Sequence, residues 1–116
     1  MKKSLTKTER LKRKHDLDRV FKNGIRTSTN GSRLLVLENG FEGNRFAVCP
    51  VRKYGNAVAR NRAKRVCREA YRELKLELDT GLDVVMVVYP GRDQMPERSA
   101  QLQELTVRAG IRRSNG

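Results

Sequence analysis

The stretch from residue 53 to residue 78 reads KYGNAVARNRAKRVCREAYRELKLEL. Its pattern predicts a helix from about Asn56, a good N-cap residue, to about Leu78. At about 100° per residue, small and apolar side chains form one arc of this helix: Ala59, Ala63, Val66, Cys67, Ala70 and Leu74. A second, largely separate arc is basic: Arg60, Lys64, Arg65, Arg68, Arg72 and Lys75. We therefore expect one side to pack on a sheet and the other to present a cationic ridge.

Shorter elements are predicted before this helix. Leu17, Val20 and Phe21 share one face of a helix over 16–23, which Gly24 would close as the C′ residue. Apolar and β-branched runs predict three strands: Ile25–Thr29, Arg33–Glu38 and Arg45–Val51. Residues 39–44 resemble a hairpin loop between the second and third strands. Because proline cannot donate to a strand ladder, we expect Pro50 at a sheet edge or near a strand end.

Two elements are predicted after the central helix. Leu82–Tyr89 is continuously apolar, which is typical of a strand covered on both faces. A last helix is predicted from Glu97 to Ala109, with Gly110 as C′. Its inward residues would be Ala100, Leu102, Leu105 and Ala109. The predicted order is α-β-β-β-α-β-α, an α+β fold in which a single-domain α/β sandwich packs helices against one small sheet.

Length and charge describe a single basic domain. The chain has 116 residues, with 26 Lys and Arg against 13 Asp and Glu, a net charge of +13. Residues 1–75 hold 21 basic and 7 acidic side chains, so the excess lies before the last third. Such an excess favours a polyanionic partner. Residues 1–14 read as a flexible basic arm, and residues 111–116 as a frayed tail.

Several classes of protein are excluded by composition. The longest apolar run is Val84–Tyr89, far shorter than the roughly 20 residues of a membrane span. Met1 is followed by lysines but by no apolar signal segment, so we expect a cytoplasmic protein with Cys49 and Cys67 reduced. His15 is the one histidine. No carboxylate pair, Cys-x-x-Cys spacing or phosphate-binding loop is evident, so we predict neither a catalytic nor a metal site on the protein.

The start of the central helix has the chemistry of a phosphate site. Lys53 and Gly55 precede it, where free N–H groups and the helix dipole favour anions. The arginines of the ridge offer planar donors to phosphates and guanine edges, and Asn61 could contact a base or ribose. Tyr54 is the candidate for stacking on a base. An ordinary solvated basic face is the alternative, but acidic partners four residues away are almost missing.

These residues resemble a known family, the protein subunit of bacterial ribonuclease P. The resemblance rests on Lys53-x-Gly55-x-Ala57-Val58-x-Arg60-Asn61-Arg62-x-Lys64-Arg65-x-x-Arg68-Glu69. It implies a small α/β sandwich with the basic helix in a left-handed βαβ crossover. It also implies a holoenzyme, an endoribonuclease, in which an RNA subunit with Mg²⁺ removes the 5′ leader of precursor tRNA. The Mg²⁺ would be held by the RNA and the substrate, and the protein would supply no catalytic residue.

The resemblance also implies roles for particular residues. The catalytic RNA would be contacted by Lys53, Arg60, Asn61, Arg62, Lys64, Arg65 and Arg68. The leader cleft would be lined by Phe21, Leu17, Arg52 and Tyr54. The family commonly has an aromatic residue where Leu17 stands, and the stretch 49–52 also departs from its pattern. The partners would be the RNA subunit and precursor tRNA, with no membrane or DNA. A ribosomal or RNA-chaperone-type protein without a nuclease role is the alternative.

Overall fold

A computed structural model describes residues 7–112, the first of them by its backbone only. The helices and strands are α1 (Lys14–Asn23), β1 (Ile25–Thr29), β2 (Ser32–Glu38), β3 (Arg45–Pro50), α2 (Ala57–Leu74), β4 (Leu82–Val88) and α3 (Met95–Arg108). One-turn 3₁₀ helices occupy Lys7–Glu9 and Lys75–Glu77. This order confirms the predicted α-β-β-β-α-β-α arrangement. In the described part of the chain, no helix has the length and apolar character needed to cross a membrane.

The strands form one mixed sheet in the order β1-β2-β4-β3. Neighbours are antiparallel except β3 and β4, which run parallel and are joined through α2. The hairpin predicted at residues 39–44 is therefore wrong: this loop carries the chain past β4 to the far edge of the sheet. Pro50 ends β3, an edge strand, as predicted, so its missing N–H interrupts no central ladder.

The sheet is covered on both faces, by α2 and α3 on one and by α1 on the other. Every residue of β4 is buried, which confirms the interpretation of its continuous apolar run. On the α2 face, the rings of Phe46 and Tyr71 stack with their centroids 4.0 Å apart. Tyr71 was not assigned to the apolar arc of the central helix, yet it is only 1% exposed.

Parts of the two terminal segments pack against the domain. The backbone N–H of Leu11 donates to the carbonyl of Phe46 at 3.0 Å, and its side chain is 3% exposed. The carbonyl of Ile111 accepts from the N–H of Asp79 at 2.7 Å, and Arg112 forms a bridge with Leu78. The predicted arm and tail are thus wrong at these positions, because both segments bring an apolar side chain to the core. Residues 1–6 and 113–116 of those predictions lie outside the described residues.

Of three predictions about residues of the helices, two are wrong and one is confirmed. Gly24 has an extended backbone, with φ of −69°, so it is not the expected left-handed C′ residue. Glycine is required there because a Cβ would lie 2.6 Å from the carbonyl oxygen of Val20. Gly110, with φ of +73°, is confirmed as C′ of α3. Ala100 was expected to face inward but is exposed, because the inward side of α3 is formed by Arg98 and the leucines.

Candidate nucleic-acid interface

The N-terminus of α2 is open towards solvent and free of acidic residues in its first turn. Asn56 caps it as predicted: its side-chain oxygen accepts from the N–H of Ala59 at 2.9 Å. Gly55 precedes the cap with φ of +136°, a conformation that side-chain-bearing residues rarely adopt. Lys53 is exposed on the same loop. Free N–H groups, the helix dipole and this lysine together favour an anion at the helix start.

Tyr54 is buried, so the prediction that its ring stacks on a base is wrong. The residue is 7% exposed, and its hydroxyl lies 2.5 Å from the Asp93 carboxylate, to which it donates. The same hydroxyl accepts from Arg98 at 2.8 Å. Burial and the bond to Asp93 raise the pKa of Tyr54 to about 12, so the phenol stays protonated. Tyr54 instead fixes the loop before α2 to the start of α3.

Arg98 is the centre of that attachment and is itself 1% exposed. Its guanidinium donates to the Asp93 carboxylate at 2.9 Å and to the carbonyl of Tyr89 at 2.9 Å. It also donates to the carbonyl of Gly31 at 3.1 Å. Burial opposes its charge, but the bonds to Asp93 and Tyr54 outweigh this and raise the pKa of Arg98. One buried cation therefore joins four separate segments of the chain next to the helix start.

Arg60 and Arg62 have roles inside the protein that the sequence did not indicate. The guanidinium of Arg60 donates to the carbonyl oxygen of Val51 at 2.9 Å, which closes the loop between β3 and α2. Arg62 donates to the backbone carbonyl of Asp93 at 3.3 Å. Both contacts use uncharged acceptors, so neither guanidinium is neutralised by a carboxylate there.

Arg60, Lys64 and Arg68 line one side of a groove of about 310 Å³. Arg10 and Lys12 line it from the N-terminal segment, and the edge strand β3 forms its floor. Burial lowers the pKa of Arg68, and the nearby charge of Arg10 lowers it further. Cations crowded in this way are stabilised by an anion placed between them. The groove is thus suited to a phosphate backbone.

The remaining predicted RNA contacts lie on the outer side of α2. Asn61, Arg62 and Arg65 line a second depression of about 290 Å³. The helix therefore offers two neighbouring basic surfaces rather than one ridge. Lys75 does not extend either of them, because its ammonium is paired with Glu9 at 3.0 Å. The cationic ridge predicted up to Lys75 is wrong at that end.

Leu17 and Phe21 lie together on the α1 face of the sheet. Both are half-buried and pack on a cluster formed by Leu11, Val20, Leu35, Ala47, Val85 and Val87. Arg52 is exposed on the loop after β3, where its carbonyl lies 3.4 Å from the Arg60 guanidinium. Of the four residues predicted to line a cleft, the structure brings together Leu17 and Phe21.

Two polar residues of that sheet face were missed by the sequence reading. Arg33 donates to the hydroxyl of Tyr89 at 2.6 Å, and its guanidinium lies 5.9 Å from the ring centre. Arg33 pairs with Val87 in the sheet, beyond the area near α1. The sequence held a signal for Arg33. It lies two residues before the apolar Leu35 in β2, and residues two apart in a strand share a face.

A buried ion network anchors α1 to the sheet. Asp83, fully buried, accepts from Arg45 at 2.7 Å, from Arg19 at 3.2 Å and from Asn39 at 3.0 Å. Arg45 also reaches Asp16 on α1 at 3.3 Å. Burial alone would raise the pKa of Asp83, but the hydrogen bonds from Arg45 and Asn39 outweigh it and hold the pKa below its ordinary 3.8. The network thus joins α1, which carries Leu17 and Phe21, to the sheet through Arg19 and Asp16.

In the described region, both cysteine thiols have raised pKa values and no cluster of metal-ligating side chains occurs. Cys49 and Cys67 are free, and burial raises the pKa of Cys67 to about 12. Burial also raises the pKa of Cys49, although Lys64 opposes the shift. Among the described residues, no group of three or more His, Cys, Asp or Glu side chains could hold a metal ion.

Comparisons with known proteins find relatives in one family. The sequence model of the family Ribonuclease P matches residues 5–110. A ribonuclease P protein component from Petrotoga mobilis is 41% identical over 81 residues, 70% of this chain and 69% of that protein. The one from Thermotoga maritima is 32% identical over 108 residues, 93% of this chain and 90% of that protein. The solved structure of the RNase P protein from Thermotoga maritima has a TM-score of 0.74 at 28% identity, covering 86% of this chain and 96% of that one. The chain belongs to the ribonuclease P protein family.

Proposed function

We propose that this chain binds the RNA subunit of a ribonuclease P holoenzyme and the 5′ leader of precursor tRNA. In this reading, the RNA subunit removes the leader and the protein holds both RNAs in place. The RNA subunit would lie along the two basic surfaces of α2 and the loop before it. The residues proposed to contact it are Lys53, Arg60, Asn61, Arg62, Lys64, Arg65 and Arg68. Family membership supports the role in ribonuclease P. The two basic surfaces of α2 support the choice of these residues as RNA contacts.

The observation that carries the proposal is the lack of carboxylate partners for these cations. Lys53, Lys64, Arg65 and Arg68 form no ion pair with any residue of the described part of the chain. Elsewhere in that part, arginines such as Arg45 are paired with buried carboxylates. Unpaired cations close together repel one another, and the negative charges of a phosphate backbone offset this repulsion. Binding also releases counterions from the backbone, which favours the complex further.

The leader is proposed to follow the sheet face beside α1. Leu17 and Phe21 offer apolar contact at one end, and Arg33 with Tyr89 offers a cation and an aromatic ring at the other. Aromatic rings stack on unpaired bases with little regard for sequence, and arginine contacts the backbone phosphates. This combination suits a single strand of RNA better than a duplex. No contact with DNA or a membrane is part of the proposal, and the compartment proposed is the cytoplasm.

Mg²⁺ is proposed to act while held by the RNA and the substrate. The donor set of the described residues supports this placement, because it contains no cluster of three metal-ligating side chains. The buried or nearly buried carboxylates of Asp83 and Asp93 are engaged by arginines. The contribution of the protein would be electrostatic. Its cations would screen the repulsion between the two RNA backbones, so that less Mg²⁺ is needed to screen it.

The test is cleavage of a precursor tRNA leader at low Mg²⁺ by the cognate RNA subunit, with and without the protein. We expect the wild-type chain to restore cleavage and the triple variant Lys64→Ala/Arg65→Ala/Arg68→Ala to lose most of that effect. Arg108→Ala, which removes an exposed cation from α3, is the matched control and should behave like wild type. A wild-type chain that binds RNA but fails to restore cleavage would favour the chaperone-type reading and contradict the proposal.

A further inference from the structure

An open depression of about 1060 Å³ lies away from α2, between the N-terminal segment and the loop that joins β2 to β3. Its volume is at the upper end of those usual for ligand sites. The residues that matter for its chemistry are Arg10, Lys12, Arg13, Phe41, Asn44 and Arg45. None of them belongs to the motif on which the RNA-subunit contacts are proposed. Arg10 and Lys12 also line the groove beside α2, so the depression adjoins that groove.

Phe41 is exposed in this depression by a hydrogen-bonded loop. The ring is 61% exposed, although large apolar side chains are usually buried. Its backbone N–H donates to the side-chain oxygen of Asn39 at 2.7 Å. The amide of Asn39, 8% exposed, donates to the carbonyl of Gly43 at 3.1 Å and to Asp83 at 3.0 Å. A buried side chain thus holds both ends of the loop and keeps the ring in solvent.

Arg45 fixes the ring from one side. Its guanidinium carbon lies 4.9 Å from the ring centre of Phe41, within the range of a cation–π contact. Arg45 cannot swing away easily, because it donates to Asp83 at 2.7 Å and to Asp16 at 3.3 Å. An aromatic ring held in this way, with most of its surface open, needs no ordering when a planar ligand stacks on it.

The charges around the ring favour an anionic ligand. Arg10, Lys12 and Arg13 border the depression and form no ion pair with any residue in the described range. The acidic side chains at its edge, Glu9 and Asp16, are already engaged by a lysine and an arginine of the protein. A ligand that fits is therefore planar and apolar in one part and anionic in another.

We propose that this depression binds an unpaired nucleotide of an RNA strand, with its base stacked on Phe41 and its phosphates near Arg10, Lys12 and Arg13. This inference rests on the proposed RNA-binding function and adds a second, single-stranded contact to it. A peptide would lack the repeated phosphates that three neighbouring cations match. Arg45 and Asp16, which belong to the ion network that joins α1 to the sheet, also line the depression.

The first test uses the absence of tryptophan from the natural chain. Phe41→Trp places a single fluorophore in the depression, and Val107→Trp places one at an exposed site on α3, 63% exposed in the wild type. Each variant is titrated with a single-stranded oligoadenylate. We expect the fluorescence of Phe41→Trp to be quenched and that of Val107→Trp to stay unchanged. Fluorescence of Phe41→Trp that changes with protein concentration alone would assign the depression to a second copy of the chain and overturn the inference.

The second test measures affinity for the same oligoadenylate. Phe41→Ala should weaken binding by about 5- to 150-fold, since base–aromatic stacking has that range by alanine substitution. Phe41→Tyr should restore it, and Val107→Ala should match the wild type, with thermal unfolding unchanged in all three. If the wild-type chain stimulates the RNA subunit but Phe41→Ala binds oligoadenylate as the wild type does, this inference is refuted and the proposed function stands. Failure of the wild-type chain to stimulate the RNA subunit would refute the proposed function.

Discussion

Replacing Arg98 by methionine removes the cation that joins four segments beside the start of α2. Methionine is unbranched like arginine, two atoms shorter, and has no donors, so the change deletes the charge and the hydrogen bonds and keeps most of the aliphatic part of the side chain. The Asp93 carboxylate, whose side chain is 10% exposed, then loses a partner at 2.9 Å. The carbonyls of Gly31 and Tyr89 lose the same donor group.

The expected cost is large because a charge is left buried without its partner. Breaking a buried ion pair from one side typically costs about 3–5 kcal/mol. A folded domain is stable by only about 5–15 kcal/mol in total, so this is a large share of it. With a urea m value of about 2 kcal/mol/M, the unfolding midpoint of Arg98→Met should fall by about 1.5–2.5 M.

A second variant separates the stranded charge from the lost packing. In Arg98→Met/Asp93→Asn the carboxylate is neutral, so the double variant should be more stable than Arg98→Met alone, although less stable than wild type. Urea unfolding followed by far-UV circular dichroism measures all four corners of this cycle. A cost below about 1 kcal/mol for Arg98→Met, or a double variant no more stable than the single one, would refute the reasoning.

Three further predictions concern RNA binding, acid and one glycine. In filter binding to the RNA subunit, Lys64→Ala/Arg65→Ala should make the slope of log affinity against log salt less steep by about 1.4–1.8, because two fewer phosphates are neutralised. An unchanged slope would place both cations outside the interface. Because the pKa of Asp83 is held below its ordinary 3.8, its contribution to stability is present above that pH and lost as the pH falls through the lowered value. Urea midpoints between pH 6 and pH 2 should therefore drop less steeply for Asp83→Asn, which starts from a lower stability; parallel curves would contradict the assignment. Gly24→Ala should lower the free energy of unfolding by about 1–3 kcal/mol, because its new Cβ meets a backbone carbonyl. The control Gly43→Ala has open space around the new Cβ and should change the free energy of unfolding by less than about 0.5 kcal/mol. Equal effects of the two variants in thermal melts would count against this account.

Local patterns were enough to place the helices and strands. The cap at Asn56, the arc of small residues along α2 and the apolar run of β4 each depend on neighbours within a few positions. The strand bounds at Ile25–Thr29 agree fully with the prediction. Helix ends were predicted less well: α1 and α3 begin two residues before the predicted start, and α2 ends four residues before the predicted end.

The order of the strands and the partners of single side chains could not be read locally. The sequence between β2 and β3 has the composition of a hairpin, but β4 occupies the place beside β2 because its side chains fit both faces of a buried strand. Tyr54 looks like a stacking residue until Asp93 and Arg98, about 40 positions away, are brought to its hydroxyl. Such contacts depend on the tertiary fold, which periodicity does not encode.

The distribution of carboxylates explains how a chain of net charge +13 folds and still presents free cations. Asp83 and Asp93 are buried or nearly so, and each neutralises an arginine that joins separate elements. Lys64 and Arg65 on α2 have no carboxylate partner in the described part of the chain. The cations that neutralise buried carboxylates are therefore different residues from Lys64 and Arg65, which are proposed to bind RNA. Removing Lys64 and Arg65 should leave the fold intact, because it lowers self-repulsion without exposing a buried charge.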